Sequence, residues 1–85
     1  MKELDIVTLD NFKDYVIVSS LKHNNRRYLL LVNVDKNENL LEEKLILEEV
    51  DIEGFCTLKE IDNDLTNKVV CEKFAKLLLN YAKLY

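Results

Sequence analysis

The chain contains no proline, a single glycine, a single histidine and only two cysteines, and each scarcity closes off a class of structure or chemistry. Without proline, and with Gly54 as the lone glycine, turns must be made by Asn and Asp, the other residues that tolerate positive φ. A Gly-rich phosphate-binding loop cannot be built.

His23, as the one histidine, allows at most one Ser–His or Cys–His pair, and it falls in a predicted hairpin tip. Such a turn offers neither an orienting third group nor a dry pocket, so the plainer reading is a solvated histidine beside Arg26. Cys56 and Cys71 are fifteen positions apart and form neither a C-x-x-C nor a framework of four or six. They read as reduced, semi-buried packing residues. Together with His23 they also lack the short ligand spacings of structural zinc, and the carboxylates of residues 42–53 lack the D-x-D-x-D-G order of a calcium loop. No catalytic, metal or cofactor residues are therefore assigned. No stretch approaches the ~18 consecutive apolar residues of a membrane span. Met1 to Ile6 contains no apolar leader core, and a cytosolic location is the resulting expectation.

What is present is 48% hydrophobic and 33% charged residues, enough apolar material for a packed core in 85 residues. This length suits one domain over residues 1–85, just above the ~70–80 residues below which staples are usually needed. Charge is unevenly spread. Residues 1–34 hold five bases and four acids, residues 35–64 three bases and eleven acids, and residues 65–85 four bases and one acid. No internal repeat or linker divides the chain.

Leu4, Ile6 and Thr8 alternate with other residues and predict a short first strand at about residues 3–9. Tyr15 to Leu21 and Tyr28 to Val34, rich in β-branched and aromatic residues, flank His23-Asn24-Asn25-Arg26 and predict a hairpin. A two-residue type I′ loop at Asn24-Asn25 places His23 opposite Arg26 and pairs Leu21 with Tyr28, Ser19 with Leu30, Ile17 with Val32 and Tyr15 with Val34. One face is then apolar except for Ser19. The other carries Val16, Val18, Leu29 and Leu31 beside Ser20, Lys22, Arg27 and Asn33. After the turn cluster Asp35 to Asn39, residues 40–49 read as a third meander strand, with helix as the rival because Leu, Glu and Lys favour helices. Phe55 to Ile61 makes a last strand. From Asp64 the period becomes helical, with Val70, Phe74, Leu77, Leu78 and Tyr81 in one stripe, Asp62 or Asp64 as cap and Lys83 near the final carbonyls. The predicted fold is α+β, an antiparallel meander of four to five strands packed on one C-terminal amphipathic helix.

The hairpin Tyr15-Val16-Ile17-Val18 with Arg27-Tyr28-Leu29-Leu30-Leu31, followed by Leu58-Lys59-Glu60-Ile61-Asp62-Asn63-Asp64 and a helix bearing Phe74, Leu77 and Leu78, resembles the YrzB-like family of small bacterial proteins. That family is a domain of unknown function, and the resemblance spans most of the chain. It implies the same α+β arrangement and no catalytic residues.

Three surfaces remain as candidates. The acidic block Glu42, Glu43, Glu48, Glu49, Asp51 and Glu53 could steer a basic partner protein, although charge runs are usually solvated faces. Lys22, Arg26, Arg27 and Tyr28 make a basic, aromatic tip suited to single-stranded RNA, opposed by the net charge of −4. The face bearing Val16, Val18, Leu29 and Leu31 calls for a cover, supplied by a second copy in a homodimer or by the first strand folding over it. The leading expectation is a non-enzymatic protein-interaction or regulatory module. A small RNA-binding accessory domain is the alternative, and an enzyme would need a pocket that five short elements can hardly enclose.

Overall fold

The computed structural model describes residues 1–83, with side chains described through Leu77. Five strands, β1 (Ile6–Thr8), β2 (Asp14–His23), β3 (Arg26–Val34), β4 (Leu40–Ile52) and β5 (Phe55–Lys59), precede one helix, α1 (Asp64–Lys83). The strands pair in chain order, each antiparallel to the next, and the sheet curls into a half-barrel. The arrangement is α+β, as the sequence pattern predicts. Among the described residues, no helix is long and apolar enough to cross a membrane.

Non-glycine residues make most of the turns. Asn24 and Asn25 have φ of 52° and 63°, and His23 sits opposite Arg26, the type I′ loop expected from the two asparagines. Glu53 and Gly54, at 51° and 83°, close the β4–β5 hairpin in the same two-residue manner, which turns residues 40–49 into part of a long strand rather than a helix. Between β3 and β4 the Asp35 carboxylate accepts the backbone N–H of Asn37 and of Asn39 at 2.8 and 2.9 Å. The bond from Asn39, first among the causes, holds that carboxyl below the usual aspartate range. The first strand is shorter than residues 3–9. Leu4 at φ 71° leaves the β region before it, and Phe12 at 63° turns the chain after it.

The register changes midway along β2. From the tip, Lys22 pairs with Arg27, Leu21 with Tyr28, Ser20 with Leu29 and Ser19 with Leu30, but Ile17 then pairs with Leu31 and Tyr15 with Asn33. Val18 is the extra residue of a β-bulge, so the expected pairs Ile17–Val32 and Tyr15–Val34 are replaced. One extra residue reverses the parity of everything before it. Tyr15 and Ile17 consequently join Leu29, Leu31 and Leu47 on the concave face of the half-barrel, all but sealed from solvent. Val18 and Leu21 pack with Tyr28 and Leu30 on the convex face, beneath the helix. By strand alternation Val16 lies on the helix side as well.

The quartet proposed for self-association therefore does not form one patch. Val16 and Val18 belong to the helix side, whereas Leu29 and Leu31, both 0% exposed, lie in the core of the opposite side. That side is covered from within the chain by Met1, Val7, Leu9, Leu45 and Leu58, because curling brings β1 and β5 over the middle of the sheet. Val7 of the first strand, paired beside β2, packs against this concave core.

The helix lays Val70, Phe74 and Leu77 onto Tyr28, Leu30, Val18, Leu21, Ile46 and Ile61. Leu78, Tyr81 and Lys83 lie outside the residues whose side chains are described. The cap is neither Asp62 nor Asp64. Asn63 accepts the Thr66 backbone N–H on its side-chain oxygen at 3.0 Å, and its carbonyl takes the first helical bond from Asn67 at 2.9 Å.

Candidate functional site

β1 and β5 are the two edges of the sheet, and the half-barrel leaves a seam between them. A groove of about 750 Å³ lies at this seam, lined from the β1 side by Val7, Leu9 and Asp10, from the β5 side by Cys56, Leu58 and Glu60, and between them by Leu45, Ile46 and Leu47 of β4, beyond the stretch that pairs with β5. In the two-residue β4–β5 hairpin the flanking pair, Ile52 and Phe55, faces inward for hydrogen bonding, so alternation turns the backbone groups of Cys56 and Leu58 outward, toward the seam. Among the described residues, the backbone bonds beyond the strand ladders include none from β5. Large apolar side chains stand in water at the turns beyond the two edge strands: Phe12 after β1 at 92% exposure, and Phe55 and Ile52 at the β4–β5 hairpin end at 74% and 55%.

Beside the groove, on the concave side, is Glu49. Its carboxylate lies 3.6 Å from the Arg27 guanidinium and 3.9 Å from the α-amino group of Met1, and accepts the Cys56 thiol at 3.3 Å. One of its oxygens is buried without a hydrogen bond. The carboxylate holds the Cys56 thiol above the usual cysteine range, first through that hydrogen bond. Both cysteines are free and exposed, not semi-buried as the sequence reading had them.

A second polar cluster ties β2 to β4 across β3. The buried Tyr15 hydroxyl donates to Glu43 and accepts from the Asn11 side-chain amide at 3.1 Å, while Lys13 approaches the same carboxylate at 3.6 Å. The bond to Glu43 raises the Tyr15 hydroxyl above the ordinary tyrosine range, and the same bond is the main cause holding Glu43 below the ordinary glutamate range.

The acidic block is thus divided. Glu43 is engaged by Tyr15 and Lys13, Glu48 is buried against Arg26 at 3.5 Å, and Glu49 serves the cluster above. Glu42, Asp51 and Glu53 remain exposed. The basic tip is divided too. Arg26 and Arg27 each lie beside a β4 glutamate, and Tyr28 is 1% exposed in the helix-side core, where no base could stack on it. Lys22 is exposed. His23 is half-buried rather than freely solvated, its Nδ1 2.9 Å from Lys73 Nζ of the helix.

Sequence reasoning missed the seam and the exposed apolar turn residues Phe12, Ile52 and Phe55. A signal existed: Ile52 and Phe55 bracket Glu53-Gly54, the only glycine-containing turn, which marks a hairpin end where large apolar residues have little to pack on. Compared with family models, with curated proteins and with solved structures, the chain gives no match.

Proposed function

We propose that this chain is a non-enzymatic protein-interaction module whose working surface is the seam between β1 and β5. The observation that carries the reading is an incompletely closed sheet: its two edges flank a groove walled in part by Val7, Leu9, Leu45, Leu47 and Leu58, and the turn residue Phe12 and the hairpin pair Ile52 and Phe55 are exposed. Exposed aromatic side chains gain most from burial against a partner, and an open edge offers backbone hydrogen bonds to it. The cytosolic setting and the YrzB-like relationship belong to the same proposal. Burial of Tyr28 and the glutamates beside Arg26 and Arg27 weigh against the RNA-binding alternative.

The test is affinity capture from the native cell with wild type beside Phe55→Asp, a change at an exposed position that leaves the core alone. Protein bands retained by wild type and lost from the variant support the reading. Recovery of RNA in place of protein, or an identical set from both baits, overturns it.

A further inference from the structure

Resting on the proposed interaction role, we infer that the partner contributes one extended, basic segment, which adds to β5 as a sixth strand in the seam. The first argument is direction. In a five-strand meander the first and last strands run the same way, so β1 and β5 could meet directly only as a parallel pair. One inserted strand can instead run antiparallel to both edges, completing a ring of antiparallel neighbours. The second argument is hydrogen bonding. Cys56 and Leu58 turn their backbone groups to the seam, which is what strand addition to a sheet edge requires.

Charge selects the occupant. Residues 1–14, which contain β1, hold four acids against two lysines and the Met1 α-amino group, and residues 51–64, which contain β5, hold five acids against one lysine. Asp10 and Glu60 stand in the groove wall, whose cations, Lys59 and the Met1 α-amino group, lie beside Asp62 at 3.5 Å and Glu49 at 3.9 Å. A strand alternating basic and apolar residues meets this chemistry on both sides: apolar side chains turn toward Leu9 and Leu58 on the concave floor, and basic ones turn outward among the carboxylates. An acidic strand would be repelled, and so would the acidic β4–β5 region of a second copy.

The probe is a short synthetic peptide in which lysine alternates with valine and threonine, with a glutamate version as control. Amide hydrogen exchange of the full chain reads the site directly. The inference expects exchange at Cys56 and Leu58 to slow roughly tenfold or more with the lysine peptide, and this protection to weaken as salt is raised. The glutamate peptide should leave both amides unchanged. Cys56→Pro removes an outward donor while leaving the β4–β5 ladder intact, as proline is tolerated on a strand edge, and should abolish the protection in a variant with wild-type circular dichroism. Should that variant not fold, the wild-type exchange pattern decides alone. No protection by the lysine peptide, equal protection by both peptides, or protection that rises with protein concentration and without peptide overturns the inference. Native partners lost with Phe55→Asp but retained by a folded Cys56→Pro would sink strand addition while leaving the interaction role standing.

Discussion

Individual residues in this chain are set by neighbours far away in sequence, and Tyr15 is the clearest case. Its ring fills the concave core while its hydroxyl reaches Glu43, twenty-eight positions on. The bond favours a protonated tyrosine and an ionised glutamate together. Because the folded Glu43 carboxyl is depressed, its contribution to stability is full above the unfolded glutamate range and is lost as pH falls through the folded one. Because the folded Tyr15 hydroxyl is raised, its contribution is full below the ordinary tyrosine range near about 10 and is lost as pH rises through the folded value. Tyr15→Phe should therefore flatten both limbs of the stability-versus-pH curve, measured as urea midpoints from acid to alkaline pH. Limbs of unchanged steepness would show that the bond does not persist in solution. At Glu49 a similar argument concerns reactivity. The carboxylate disfavours the Cys56 thiolate, so Glu49→Gln should speed alkylation of Cys56 by iodoacetamide at neutral pH relative to wild type. Equal rates would mean the thiol does not sense the carboxylate.

At the scale of elements, the strands, the hairpin at Asn24-Asn25 and the helix were legible because each carries a local signal: alternation, paired turn residues, a 3.6-residue stripe. The bulge was not. Tyr15-Val16-Ile17-Val18 is an unbroken run of strand-favouring residues, equally suited to either parity, and nothing in it marks Val18 as the extra one. The consequence was large, since Tyr15 and Ile17 changed faces and the supposed exposed patch dissolved into two cores. Deleting Val18 removes the bulge while leaving Ile17 opposite Leu31 and Tyr15 opposite Asn33, so both side chains keep their places in the concave core. The deletion variant should remain folded by circular dichroism, with a urea midpoint lowered about as far as in Val18→Ala, since both lose the same side chain from the helix-side core. An unfolded deletion variant would show that the bulge itself, and not only the parity it sets, is required by the fold. The helix cap was hidden for a different reason: Asp62, Asn63 and Asp64 are all competent caps in succession, and composition alone does not choose among them. Asn63→Ala should cost about 1 kcal/mol, read as a lowered urea midpoint at unchanged slope, with Asp62→Ala close to neutral. The seam belongs to this scale as well. It arises from sheet curvature, which depends on the bulge and on strand twist summed over five strands, and so leaves no mark at any single position.

For the whole molecule the organising fact is that one sheet supports two cores. The convex core joins Tyr28 and Leu30 to Val70 and Phe74 of the helix, and the concave core joins Tyr15, Ile17, Leu29, Leu31 and Leu47 under the curled edges. β3 serves both, since Tyr28 and Leu30 alternate with Leu29 and Leu31 along it. A domain of this size has only a few kcal/mol of net stability, so neither core can be lost while the other stands. Phe74→Ala, at a position 2% exposed, should cost about 3–5 kcal/mol, and Leu29→Ala, at 0%, about 2–5 kcal/mol. Each should lower a single cooperative transition seen alike by near-ultraviolet and far-ultraviolet circular dichroism. The effect of Leu29→Ala also discriminates between covers for the concave face. Where the chain covers Leu29 itself, the midpoint is independent of protein concentration. Where a second copy covers it, dilution lowers the wild-type midpoint and the substitution steepens that dependence. The burial of Leu29 beneath Met1, Val7, Leu9 and Leu58 predicts the first outcome, and a concentration-dependent midpoint would restore the homodimer.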